Sequence, residues 1–119
     1  MPAGVCHELL EHCVLRHILF TSEFILEETQ ETLIDKFGCP AELAAEAVSV
    51  LRSRMKVVTS SKLESQVCRD PDDDNILAAA VSGNCDCVIT GDKDLLVLKR
   101  YVGIDVFSPR DFLTKERID

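Results

Sequence analysis

Residues 70–96 read DPDDDNILAAAVSGNCDCVITGDKDLL, and the architecture is decided by how this stretch divides. Asp70-Pro71-Asp72 stops the preceding chain and starts a helix, because proline pre-sets the turn and aspartates favour a helix N-terminus. That helix is expected to run to about Ser82 and to end at Gly83-Asn84. Cys87 to Thr90 is short and apolar, suited to a buried strand, and the loop Gly91-Asp92-Lys93-Asp94 comes after it.

The same alternation extends on both sides. Val5 to His17 reads as a helix, with Val5, Leu9, Leu10, Cys13 and Val14 near helical spacing, and Ile18 to Thr21 as a strand. Ser22 offers an N-cap, with Glu23 in the first turn, for a helix to about Phe37 that Gly38 closes. Pro40 suits the first position of the next helix, Ala41 to about Met55. Val57 to Thr59 predicts a second strand, and the polar stretch from Ser60 to about Gln66 a loop. Beyond the central segment, Leu95 to Arg100 reads as a short helix, Ile104 to Phe107 as a last strand and Pro109 to Lys115 as a closing helix.

Strands alternating with helices over long crossovers favour a parallel sheet with helices on both faces, a three-layer α/β/α arrangement in one domain spanning residues 1–119. The chain opens on a helix, whereas a sheet of this kind usually begins with a strand near its centre. Met1-Pro2-Ala3-Gly4 reads as the inside of a larger domain, and a strand ahead of it is inferred.

Composition narrows the function classes. Runs such as VVT, CVIT and LLVL are far shorter than the ~18 residues a membrane span needs. Glu8 and Glu11 interrupt any apolar stretch that could serve as a signal peptide. A cytoplasmic protein without a membrane partner is expected, its six cysteines reduced rather than paired. Cys85 and Cys87 form only a C-x-C, which is no zinc pattern. His7, His12 and His17 could join Cys6 and Cys13 in a metal site, but the favoured reading is small apolar cysteines on a buried face and histidines at a solvated edge. With 21 acidic against 13 basic residues the net charge is −8, which argues against nucleic-acid binding by bulk electrostatics. Any such role rests on a local site where metal ions offset the acid; the charge equally suits a basic protein partner.

In a parallel α/β sheet, the N-terminus of a crossover helix and the loop after the next strand both lie at the carboxyl edge, where ligands bind. The Asp70–Asp74 cluster and the Asp92/Asp94 pair should therefore meet in space. Asp73 starts a stripe with Ile76, Leu77 and Ala80 and so should face the sheet, where a carboxylate is costly unless neutralised. Only Arg69 and Lys93 are cationic nearby, whereas Mg²⁺ or Mn²⁺ take several oxygen ligands and suit metal-assisted phosphodiester hydrolysis. The alternative stays open that these aspartates only cap helices and that Asp92 only forms a turn. A receiver-type phospho-acceptor site gathers aspartates at the same edge, but would want paired acids after the first strand and a lysine near a late one.

The run D-P-D-D-D-N-I-L-A-A-A, then C-V-I-T-G-D-K-D-L-L, resembles the second half of PIN domains, in the branch grouped with toxins of toxin–antitoxin systems. S-E-F-I-L-E-E-T from Ser22 and I-D-V-F-S-P-R-D-F-L from Ile104 agree, so the resemblance spans about Gly4 to Leu113. It implies a metal-dependent ribonuclease cleaving single-stranded RNA, a Mg²⁺ or Mn²⁺ cofactor and an antitoxin protein as partner. Carried over by position, the implied catalytic and metal-binding acids are Glu28, Asp73 and Asp92, with Asp94 accessory and Asp74 and Asp70 as neighbours; a one-residue slip would put Asp74 in the place of Asp73. The departure is at the start, where the family has a strand ending in an aspartate that ligates metal. A start codon placed too late, degeneration, or a sheet completed by another chain would each explain this, and the intact Glu28, Asp73, Asp92 and Asp94 favour the first. Weak or absent activity is then expected, and an impaired module that associates through an exposed sheet edge, as in a homodimer, is the alternative.

Overall fold

A computed structural model describes residues 3–116, and it is an α/β fold. Helix α1 (Ala3–Arg16) leads into β1 (Phe20–Thr21), then α2 (Glu23–Asp35), α3 (Ala41–Arg54) and β2 (Lys56–Val57). An irregular segment reaches α4 (Pro71–Ser82), β3 (Cys87–Ile89), α5 (Lys93–Leu96), the β4–β5 hairpin (Arg100–Tyr101 and Ile104–Phe107) and α6 (Pro109–Glu116).

Local chemistry sets most of these limits. Ser22 caps α2 by accepting a hydrogen bond from the Ile25 amide at 3.3 Å. Gly38, at φ +62°, turns the chain out of that helix while the Cys39 amide returns to the Leu33 carbonyl at 2.9 Å. Asp70 caps α4 through the Asp72 amide at 2.9 Å, with Pro71 in the first helical turn. At the other end of α4 the left-handed residue is Asn84 (φ 52°), not Gly83. Gly83 serves close approach instead: a Cβ there would lie 3.0 Å from the Phe20 ring and 3.2 Å from Cys85 Sγ.

The expected single parallel sheet is two small ones. β1 pairs parallel with β2 in one, and β3 pairs parallel with β5 in the other. β4 adds antiparallel to β5, with Tyr101 opposite Ile104. Thus the predicted helix over Leu95–Arg100 gives way to a four-residue helix ending at Leu96 and a strand at Arg100–Tyr101. A two-residue turn, Val102 (φ 41°) and Gly103 (φ 85°), makes the tight reversal, and a Val-Gly pair carries little turn signal in sequence. The strands at Ile18–Thr21 and Val57–Thr59 are likewise shorter than expected and, for the second, shifted to Lys56–Val57.

Helix α4 is the hub. It contacts β1 of one sheet, β3 of the other, and α2. Leu77 is fully buried in a cluster with Cys68, Leu95 and Val106, while Ala80 joins Val88 and Ile104. Complete burial of a leucine such as Leu77 or Leu95 is worth about 2–3 kcal/mol. Leu63 and Val67, from the irregular segment, pack against the first cluster. That packing holds the segment just before α4 against the sheet, and so fixes where the acids of α4 begin.

Candidate functional site

β3 ends at Ile89, and Thr90 shapes the turn beyond it. The Thr90 amide donates to the Phe107 carbonyl at 2.9 Å, and its Oγ accepts from the Asp92 amide at 3.0 Å. Gly91 faces open space without a left-handed φ, so the turn is held by this hydroxyl rather than by any need for glycine. Asp92 then caps α5 by accepting from the Asp94 amide at 2.8 Å. The expected meeting at the carboxyl edge is observed: one carboxylate oxygen from each of Asp73, Asp92 and Asp94 lies within 4.8 Å of the others.

The three acids are not equivalent. Asp73 is 6% exposed, on the inward stripe with Leu77 and Ala80, whereas Asp92 is exposed and Asp94 lies between. Burial, then the charge and hydrogen-bonding proximity of Asp92, push the Asp73 carboxyl up to about 6. Arg69 Nη2 reaches Asp94 at 3.0 Å, but from a mostly solvent-exposed side chain, and exposed pairs of this kind contribute little. The site therefore has more negative charge than its own cations neutralise. An all-oxygen donor set with one buried member fits a hard divalent ion, which Asp73, Asp92 and Asp94 would hold.

Asp74 belongs to a different task. Burial alone would raise its carboxyl, but amide hydrogen bonds from Val67 (3.0 Å) and Cys68 (2.8 Å) hold it below the usual carboxylate range. It ties the incoming segment to α4, so the one-residue slip that would have exchanged it for Asp73 does not occur. Asp70 is the α4 cap. Glu28 stands on α2 outside the tight trio; burial, then Asp72 and Asp70, raise its carboxyl, which places it in the field of the α4 N-terminus.

Sequence reading missed Cys68. It is 6% exposed, and burial, the Asp74 hydrogen bond and the charges of Asp73 and Asp92 push its thiol up to about 11, so it is an inert floor beneath the acids. No pattern around Cys68 signals this, because its partners lie on α4 and beyond β3. A separate apolar cavity of 390 Å³ lies between α1 and α3, lined chiefly by Val14, Leu15, Leu19, Val50, Leu51 and Met55. None of the clustered aspartates lines it.

An α/β fold with clustered carboxylates at the end of a sheet strand is compatible with a metal-dependent nuclease-type domain. The chain belongs to the PIN domain family, whose model, described as PIN domain, matches residues 5–94. That match takes in Glu28, Asp73, Asp92 and Asp94, and PIN domains are of nuclease type and typically use a divalent metal. No curated protein and no solved structure matches the chain. Among the described residues, no helix is long and apolar enough to cross a membrane.

Proposed function

We propose that this chain is a Mg²⁺- or Mn²⁺-dependent ribonuclease of PIN type, acting in the cytoplasm as the toxin of a toxin–antitoxin pair. The observation that carries the nuclease reading is the convergence of Asp73, Asp92 and Asp94, with Asp73 buried and no buried cation beside it among the described residues. When bound, the ion would supply a lowered pKa for an attacking water and offset charge on the leaving oxygen. The residues of this chain do the positioning. Asp92 is fixed by its own capping bond and Thr90, Asp73 by the α4 stripe, and Asp74 keeps the Val67–Cys68 segment in place beneath them. Glu28 adds a fourth carboxylate near the start of α4. The toxin role and the antitoxin partner rest on the resemblance of the D-P-D-D-D and T-G-D-K-D motifs to the toxin branch.

Isothermal titration with Mn²⁺, paired with cleavage of a fluorescent single-stranded RNA, tests this reading. Mn²⁺ binding is expected in the chain and lost in Asp73→Asn and Asp92→Asn. Cleavage is expected to require Mn²⁺. Absence of Mn²⁺ binding, or equal cleavage by Asp73→Asn, sinks the proposal.

The second reading is a module that works by association. It is favoured by the split sheet: among the described residues β1 and β3 each pair on one edge only, α4 touches both, and Thr21 Oγ1 is buried without a hydrogen-bond partner. A further strand between β1 and β3 would join the two sheets, whether it came from the same chain or from a second copy. Light scattering on the eluting protein distinguishes these outcomes, since a clean monomer argues against a strand supplied by a second copy.

A further inference from the structure

The histidines expected at a solvated edge do something more specific. His12 lies near the end of α1, His17 just beyond it, and Glu116 ends α6, about a hundred residues away. Nε2 of His12 lies 2.8 Å from Glu116 Oε1, and Nε2 of His17 contacts the same oxygen. The three donor atoms all lie within 4.8 Å of one another. Of the residues considered together from sequence, His12 and His17 meet here with Glu116, Cys13 is buried and free, and the side chains of Cys6 and His7 lie outside the described residues.

We propose that His12, His17 and Glu116 form a second metal site, which takes a borderline divalent ion of the Zn²⁺, Co²⁺ or Ni²⁺ class and staples the end of α1 to the end of α6. Two imidazole nitrogens and one carboxylate oxygen are the donors such ions prefer, and they discriminate against Mg²⁺ and Ca²⁺, which select oxygen. Tetrahedral donors ~2.0–2.1 Å from zinc stand about 3.3 Å apart, so the His12–Glu116 contact of 2.8 Å would open to admit the ion. The side chains are 29%, 38% and 22% exposed, leaving water to complete the coordination. Helix α1 and α6 are in contact, so the backbone on both sides of the site is already placed. Phe112 supports it, its ring 5.5 Å from that of His17 in an edge-on contact.

The site is separate from the aspartates. Glu116 ends α6, which packs against β5 and α1, whereas Asp73 stands on α4 and Asp92 and Asp94 come after β3, and the two groups share no residue. Cys87, which opens β3, lies in the electrostatic field of both Cys13 and Lys115, the sequence neighbours of His12 and Glu116. This inference does not depend on the nuclease reading.

Titration of the reduced full chain with Co²⁺, then displacement with Zn²⁺, tests it. Visible d–d bands are expected without a thiolate charge-transfer band, and Zn²⁺ at a hundredfold excess over Kd should raise Tm by roughly 10 °C. His12→Gln and His17→Gln should each weaken Zn²⁺ binding by at least about tenfold. Mn²⁺ binding in those variants should stay unchanged, and Zn²⁺ binding should persist in Asp73→Asn. Glu116→Gln provides the same test should either histidine variant misfold. Undiminished Zn²⁺ affinity in these variants, a thiolate band, or no thermal response to Zn²⁺ overturns the site.

Discussion

Asp73 shows how one residue carries opposing demands. Its folded carboxyl titrates at about 6 against an ordinary value of 3.8, because burial and then Asp92 disfavour the charge. A carboxyl raised in this way favours the folded state fully below the ordinary value, and that contribution is lost as pH rises through 6. Without metal, thermal stability contributed by this group should therefore fall between about pH 4 and pH 7, as differential scanning calorimetry of wild type against Asp73→Asn can isolate. Asp73→Asn should be the more stable protein at about pH 8, and added Mn²⁺ should raise Tm of the wild type more there than at about pH 5 while leaving the variant unmoved. Asp74 next door predicts the reverse. Its two amide donors lose their acceptor in Asp74→Ala, which should cost about 1–3 kcal/mol in urea denaturation with the m-value retained. The D-D-D run gives these adjacent aspartates the same capping signal, and nothing in it announces that Asp74 accepts from the Val67 and Cys68 amides. The helical stripe favoured Asp73, and the fold buries that residue.

Elements announced by strong local chemistry are placed to within a residue or two. Asp70-Pro71 opens α4, Ser22 caps α2, and Gly38 ends it, because each satisfies or redirects the backbone without help from distant chain. The weakly marked elements are those that tertiary contacts define. β4 exists because Arg100 and Tyr101 pair with β5, and no alternation in two residues could have signalled it. Its turn leaves a prediction: Val102 is 71% exposed at φ 41°, a conformation unfavourable for a β-branched residue. Val102→Asn would create the Asn-Gly pair such a turn favours and should stabilise the protein by about 1 kcal/mol, read from the denaturant midpoint. Gly83→Ala should instead destabilise, since the new methyl meets the Phe20 ring where α4 passes β1.

For the whole molecule, the two sheets held by α4 make the acid site depend on long-range assembly. Asp73 comes from α4 and Asp92 and Asp94 from beyond β3, so their proximity requires α4 to lie against β3 through Ala80 and Val88. Loosening that contact with Val88→Ala should lower Mn²⁺ affinity as well as stability, the latter by about 1–3 kcal/mol, because the trio loses its spacing when the helix shifts. The histidine cluster depends on assembly even more, joining residues from opposite ends of the chain. The sequence by itself determined the alternation of helices and strands, the acid-led start of α4 and the candidate acids Asp73, Asp92 and Asp94, since periodicity, capping and motif spacing are local properties, while Glu28 entered only through the resemblance to PIN domains. Only the tertiary structure decided that the sheet is two, that Asp74 braces a loop, that Glu28 stands outside the close trio, and that His12 and His17 meet Glu116. Those outcomes depend on which distant side chains share a few ångströms, and that is fixed by packing rather than by any short run of residues.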